Sequence, residues 1–225
     1  MAYTDFTLAD LNRQFGMTNQ IGPLFGPVDP VSPTAFLRES LARGQRLRLR
    51  NEKIKSEAIV YPVLTDVLDR QTGYFTLFSG ENLPALRERG LTGECDFLIT
   101  KDTLGYEPDM PIVSVVEAKR NDFEAGVPQC AAQLVGANLF NSALGHPVAT
   151  LYGCVTTADQ WLFMRLADNH LTIDNQKYPL SNLETLLGVF DYILHEYRRQ
   201  SDDDESLTLA EERPNYQALW LGRTV

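Results

Sequence analysis

Apolar positions change period along the chain, and the changes mark out its elements. Residues 52–69 (EKIKSEAIVYPVLTDVLD) repeat apolar side chains at helical spacing. Pro62 lies inside that pattern and predicts a kink, because proline removes one backbone donor. Strand-like runs follow at 74–79 (YFTLFS), 94–100 (ECDFLIT) and 111–118 (PIVSVVEA). The last is rich in β-branched residues and predicts a central strand. The connection 101–111 carries Gly105, Pro108 and Pro111 and predicts a loop or hairpin. Gly126 and Pro128 punctuate the start of a helix over 128–144, in which almost every residue is apolar or small. Strands at 148–156 and 160–166 are joined by a hairpin at Thr157, Ala158 and Asp159. Residues 181–200 form an amphipathic helix capped by Ser181, with Phe190, Tyr192 and Tyr197 expected to pack in the core, as is Trp161 on its strand.

The flanks are less regular. Residues 1–35 carry Gly16, Gly22, Pro23, Gly26, Pro27, Pro30 and Pro33 and read as a short helix followed by a loop-rich arm. A further helix is expected from Ser32, with Ser32 as cap and Pro33 in the first turn. The late Tyr216 and Trp220 are expected to dock the C-terminal tail. The order helix, three strands, helix, two strands, helix predicts an α/β fold, a mixed sheet flanked by helices.

Composition narrows the classes. The chain has 225 residues with 44% hydrophobic and 22% charged, enough for a substantial core. No apolar run is long enough to cross a membrane, and no secretory leader is visible at the N-terminus. Cys95, Cys130 and Cys154 stand alone, which argues against a disulfide framework or a thiolate zinc site and fits a reducing cytoplasm. The net charge of −10 is uneven. Segment 201–212 (SDDDESLTLAEE) has six acids and no base and is expected to be solvated or to extend the preceding helix. Residues 38–55 hold seven of the 20 basic residues and only two acids. That stripe reads either as a solvated helix face or as a surface for phosphates, with Arg43, Arg46, Arg48, Arg50, Lys53 and Lys55 as its contacts. The motifs GxSxG, HExxH, GxGxxG and the P-loop are absent, and His146, His170 and His195 have no evident nucleophile to activate.

Candidate chemistry gathers at the end of the third strand. In Glu117-Ala118-Lys119 the two charged residues share one strand face, expected to be that of Val113 and Val115. A charged pair ending a hydrophobic strand either emerges into solvent or must be paired or coordinate something. If strands 94–100 and 111–118 form an antiparallel hairpin, Asp96 lies near Glu117. Two converging carboxylates make a hard-oxygen site suited to Mg²⁺ or Mn²⁺, and a lysine beside them can orient a water or stabilise developing charge. Gln129 and Gln133, four apart on an otherwise apolar helix, share a face that is either its solvent edge or the wall of a cleft. Glu57 is either the ion-pair partner of Lys53 or an acid approaching the sheet.

Taken in order, Glu57, Gly93-Glu94-Cys95-Asp96, Glu117-Ala118-Lys119 and Gln133 resemble the PD-(D/E)XK nuclease superfamily. The run Thr156-Thr157-Ala158-Asp159-Gln160-Trp161 extends the likeness to the nuclease domain of type I restriction enzyme motor subunits. The resemblance spans about 52–167. It implies a restriction-endonuclease-like αβββαβ core with a central mixed sheet, preceded by an arm and helix over 1–51 and followed by a C-terminal helix and acidic tail over 168–225. It further implies a Mg²⁺- or Mn²⁺-dependent nuclease acting on DNA. Asp96 and Glu117 would be metal ligands, Lys119 would position the attacking water, Gln133 (with Gln129 the lesser candidate) would be the downstream glutamine, and Glu57 the accessory helix acid. Cys95 stands where the family often has proline, and the 21 positions from Asp96 to Glu117 imply an insertion at 101–111. A single-site domain of this kind can cut a duplex as a homodimer. The alternative is a non-catalytic member of the fold, serving as a nucleic-acid-binding or protein-interaction module.

Overall fold

The computed structural model describes residues 2–71, 73–83, 85–101, 111–119 and 123–211. Helix α1 (Leu8–Phe15) is capped by Thr7, whose side chain accepts the Asp10 N–H and whose own N–H is taken by the Asp10 carboxylate, a reciprocal capping box. It ends on Gly16 in the left-handed region and leads to a short strand, β1 (Thr18–Gly22). Helix α2 spans Ala35–Gly44. Its cap is Thr34 rather than Ser32. The Thr34 hydroxyl accepts the Leu37 N–H at 3.1 Å and is itself tied to the buried Asp66 carboxylate, so the helix starts two residues later than its sequence suggests.

The 52–69 pattern is helical throughout but not uniformly wound. Helix α3 (Glu52–Lys55) passes through a π-helical turn (Ser56–Val60) into α4 (Tyr61–Asp69). Pro62 sits in the first turn of α4, where a backbone donor is dispensable, so the expected kink is taken up by the wider turn before it. Asn51 caps the start, its side chain accepting the Ile54 N–H at 3.0 Å.

Strands β2 (Thr76–Asn82), β3 (Glu94–Thr100) and β4 (Ile112–Ala118) form an antiparallel meander. The expected loop at 101–111 lies almost wholly outside the described residues. Helix α5 (Phe123–Ala143) crosses over to β5 (Thr150–Thr156), which lies parallel to β4. The turn at Thr157–Asp159 then returns the chain antiparallel along β6 (Gln160–Ala167), with Ala158 at φ 73°. Two further strands, β7 (His170–Asp174) and β8 (Tyr178–Pro179), precede α6 (Leu183–Glu211), which runs on through most of the acidic segment. The sheet order is β1-β7-β6-β5-β4-β3-β2, with β8 beside β6. Because β1 pairs parallel with β7, residues from both flanks complete the sheet that the central segment begins.

The fold is thus α/β, a central mixed sheet covered on both faces. One face packs α2, α4 and α6 around Trp161, Phe163 and Phe190, all at most 1% exposed. The other packs α5 with the N-terminal segment around Tyr3, Leu11 and Leu134. Covering by that segment explains why α5 is apolar all round. Tyr3 lies directly over Gly136, where any Cβ would collide with its ring, and its hydroxyl donates to the Leu83 carbonyl at 2.8 Å. Tyr197 and Phe190 are in the core as expected, but Tyr192 is half exposed. Tyr216 and Trp220 lie outside the described residues.

Candidate active site

The β3–β4 register builds the site. Phe97 lies opposite Val116 and Leu98 opposite Val115, so continuing the antiparallel register sets Asp96 across from Glu117. One irregularity matters. Ile99 pairs with Ser114 while Thr100 pairs with Ile112, leaving Val113 as an extra residue in β4. Val113 therefore joins the α4 and α6 face, whereas Val115 joins the α5 face. The expectation that Glu117 shares a face with Val113 fails for this reason. The bulge turns Glu117 toward α5.

Glu117 is 2% exposed, so it does not emerge into solvent. Its carboxylate accepts from three donors: Lys119 Nζ at 2.8 Å, Gln129 Nε2 at 2.5 Å and Gln133 Nε2 at 2.7 Å. Both glutamines are buried, which removes the solvent-edge reading of their helix face. The spacing of four residues on α5 brings one amide to each carboxylate oxygen. Gln133 Oε1 is buried with no hydrogen-bond partner among the described residues.

Asp96 is held from the strand beside it, accepting the Ala118 N–H at 2.7 Å. The next amide, that of Lys119, donates to the Thr156 carbonyl of β5 at 2.7 Å. Side chain and strand end are therefore fixed together, with Asp96 doing for β4 what a ladder bond would do further along.

Electrostatics follow from the geometry. Burial, then the neighbouring Asp96 charge, pushes the Glu117 carboxyl up to about 7, against the opposing pull of Lys119 and Gln133. Burial also raises Asp96, partly offset by the Ala118 N–H and Lys119, with Glu52 adding to the rise. Burial alone would lower Lys119, but the carboxylates of Glu117, Asp96 and Glu52 outweigh it and hold the ammonium above its usual range. Among the described residues one cation thus faces three acids. Such an excess of hard oxygen donors is relieved by protons or by a metal cation.

Asp96 opens onto a cavity of about 620 Å³ between the α3–α4 segment and the β2–β3 strands. Glu57 lines this cavity and is exposed. The helix acid whose charge reaches both Asp96 and Lys119 is instead Glu52, which also lines it. Sequence reasoning passed over Glu52. The signal for it was Asn51, whose capping fixes Glu52 in the first turn of the helix.

The site offers two neighbouring carboxylates that could take a cation. Among the described residues no group of three or more His, Cys, Asp or Glu is arranged to hold an ion. Mg²⁺ commonly takes only one or two carboxylates and completes its shell with water and substrate phosphate. Asp96 and Glu117 fit that pattern, and the three buried cysteines, all free thiols, contribute nothing to it.

The basic stripe divides. Arg43, Arg46, Arg48, Arg50 and Lys53 are exposed, and Arg43 pairs with Glu39 at 2.5 Å. Lys55 departs from its expected place: it is 8% exposed and its Nζ donates to the Thr157 carbonyl at 3.2 Å, pinning α3 to the β5–β6 turn rather than facing a ligand. Among the described residues no helix is long and apolar enough to cross a membrane. No family model matches this chain, and no curated protein matches it in sequence.

Proposed function

We propose that the protein is a Mg²⁺- or Mn²⁺-dependent nuclease that hydrolyses phosphodiester bonds, with a restriction-endonuclease-like core. The observation that carries this reading is the Asp96–Glu117 pair at adjacent strand ends, with Lys119 Nζ 2.8 Å from Glu117 and a cavity opening from Asp96. The element order from α3 to β5 supports it, since helix, three strands, helix and strand is the order of that core. Asp96 and Glu117 would hold the ion. When bound, it would polarise the scissile phosphate and lower the pKa of a bound water. Lys119 would orient the attacking water and offset charge developing on the phosphate. Gln129 and Gln133 position the Glu117 carboxylate, a role exerted through Glu117 rather than on substrate. The exposed arginines Arg46, Arg48 and Arg50, with Lys53 at the cavity rim, would take phosphates of the nucleic acid beyond the cleaved bond.

The test is titration calorimetry with Mg²⁺ and Mn²⁺ on the wild type and on Asp96→Asn/Glu117→Gln, beside a cleavage screen with Lys119→Ala. Saturable binding lost in the double variant, with cleavage lost in Lys119→Ala, is the expected result. Cleavage undiminished by Lys119→Ala would overturn the assignment of the site.

A further inference from the structure

The substrate-facing cavity has a wall that the chemistry above does not use. Tyr61, the first residue of α4, lines it and is 48% exposed. Single exposed aromatics are ordinary on a protein surface. This one shares a cavity with Asp96, and Phe97 and Gly80 contribute to the same lining. The remainder of the lining is sharply acidic: Glu52, Glu57, Glu94 and Asp96 against Lys53. A phosphate is repelled there except where a cation neutralises the carboxylates. A flat uncharged group is not repelled, and an aromatic ring is the surface on which such a group stacks.

Size gives the second constraint. A cavity of about 620 Å³ is in the range that encloses one small ligand, which is the scale of one or two nucleotides. A phosphodiester that approaches Asp96 from this side enters the cavity. A B-form duplex keeps its bases inside the stack, so it offers Tyr61 no base face without local unpairing, which costs a few kcal/mol per base. A strand with free bases enters at no such cost.

We propose that this cavity admits an unpaired nucleotide, whose base stacks on Tyr61 while the adjoining phosphate lies toward Asp96, so that the preferred substrate is single-stranded or frayed nucleic acid. This rests on reading the Asp96–Glu117 pair as a phosphodiester-cleaving site. It commits that reading to a substrate form. Base–aromatic stacking tolerates any sequence, because every base has a π-face. The site would therefore discriminate by strandedness and little by sequence.

The test is fluorescence anisotropy with a labelled oligonucleotide of about ten residues, single-stranded or annealed to its complement. It uses the full chain in Ca²⁺, which fills hard-oxygen sites in place of Mg²⁺. Wild type is expected to bind the single strand more tightly than the duplex. Tyr61→Ala should weaken single-strand binding by about 5- to 100-fold and leave duplex binding unchanged. Tyr61→Phe and Tyr61→Trp should retain it, which separates stacking from a general disturbance of α4. Equal single-strand affinity in Tyr61→Ala, or a wild-type preference for duplex, would overturn the inference while leaving a nuclease that works on duplex. Failure of the wild type to bind either form in divalent cation would remove the nuclease reading and this inference with it.

Discussion

Burying Glu117 beside Asp96 makes the stability of the metal-free protein depend on pH in an unusual direction. Most carboxylates in folded proteins have lowered pKa values and destabilise the fold as pH falls. Glu117 is shifted the other way, from about 4.5 in the unfolded chain to about 7 in the fold. Its contribution is fully present below about 4.5, where both states are protonated, and is lost as pH rises through about 7. Between those values the folded state holds a proton that the unfolded state has released, so stability falls with pH. Two and a half units at about 1.4 kcal/mol each give a loss of about 3 kcal/mol, an order-of-magnitude figure. Asp96 is raised by the same environment, so the effect belongs to the pair. The assay is urea denaturation in EDTA at several pH values from 5 to 8.5, on wild type and Glu117→Gln. Wild type should lose stability across that window, and the variant, which carries no charge at 117, should have a shallower profile whose remaining slope comes from Asp96, still raised by its burial. Mg²⁺ at the alkaline end should restore the wild type and not the variant, because a cation replaces the proton. A wild-type profile parallel to that of Glu117→Gln would refute the reasoning.

Two further outcomes bear on neighbouring parts of the site. Gly126→Ala would put a Cβ 2.5 Å from Val155 Cγ1 and 3.0 Å from Lys119 Cγ. It should destabilise by about 1–3 kcal/mol in urea and reduce cleavage beyond what the unfolded fraction explains, since α5 must move off the Lys119 stem. Lys55→Ala removes the buried donor to the Thr157 carbonyl and should lower stability by about 1–3 kcal/mol, with oligonucleotide affinity of the folded protein unchanged. A loss of affinity comparable to that of Arg48→Ala would return Lys55 to the phosphate-contacting stripe.

The sequence was most readable where a strand or helix buries its own pattern. The β3 bounds, Glu94–Thr100, match the expected strand at both ends, and β4 and β5 lie within two residues of theirs. β1 (TNQIG) escaped because it is polar and largely exposed; it is held at the sheet edge by pairing with β7 and not by any apolar face of its own. A signal for β7 was present. Asp168 and Asn169 both adopt positive φ in the turn after β6, and adjacent Asp and Asn are the residues that tolerate a tight hairpin there. At the site, the hairpin pairing alone was enough to bring Asp96 to Glu117. The bulge at Val113 was not readable, because it inserts one apolar residue into a run that is apolar on both faces. Glu52, which lines the cavity together with Glu57, was passed over for a related reason: the π-helical turn breaks the 3.6-residue period between them, so counting turns does not place them on one face.

The network around Glu117 is not what stability by itself would select. A buried ion pair replaced by packed apolar groups of similar volume is often neutral or stabilising, whereas removing one partner strands the others. Both limbs of that rule apply here. Glu117→Leu alone leaves the Lys119 ammonium and two buried amides without their acceptor. It should therefore cost about 3–5 kcal/mol. The combined variant Glu117→Leu/Lys119→Met/Gln129→Leu/Gln133→Leu removes the ammonium and both amides together with their acceptor, including the carbonyl of Gln133 that has no partner among the described residues, and leaves Asp96 held by the Ala118 N–H. Above pH 8 and without metal it should be at least as stable as wild type, since it also removes the charge repulsion at Asp96. Its Mg²⁺ binding should be lost. Denaturation midpoints of the two variants decide the matter. If the combined variant is as unstable as Glu117→Leu, the polar network is structural and its presence says nothing about chemistry. If it is as stable as wild type, then Glu117, Lys119, Gln129 and Gln133 are maintained against a stability that apolar residues supply equally well. What they would then serve is the placement of a carboxylate beside Asp96.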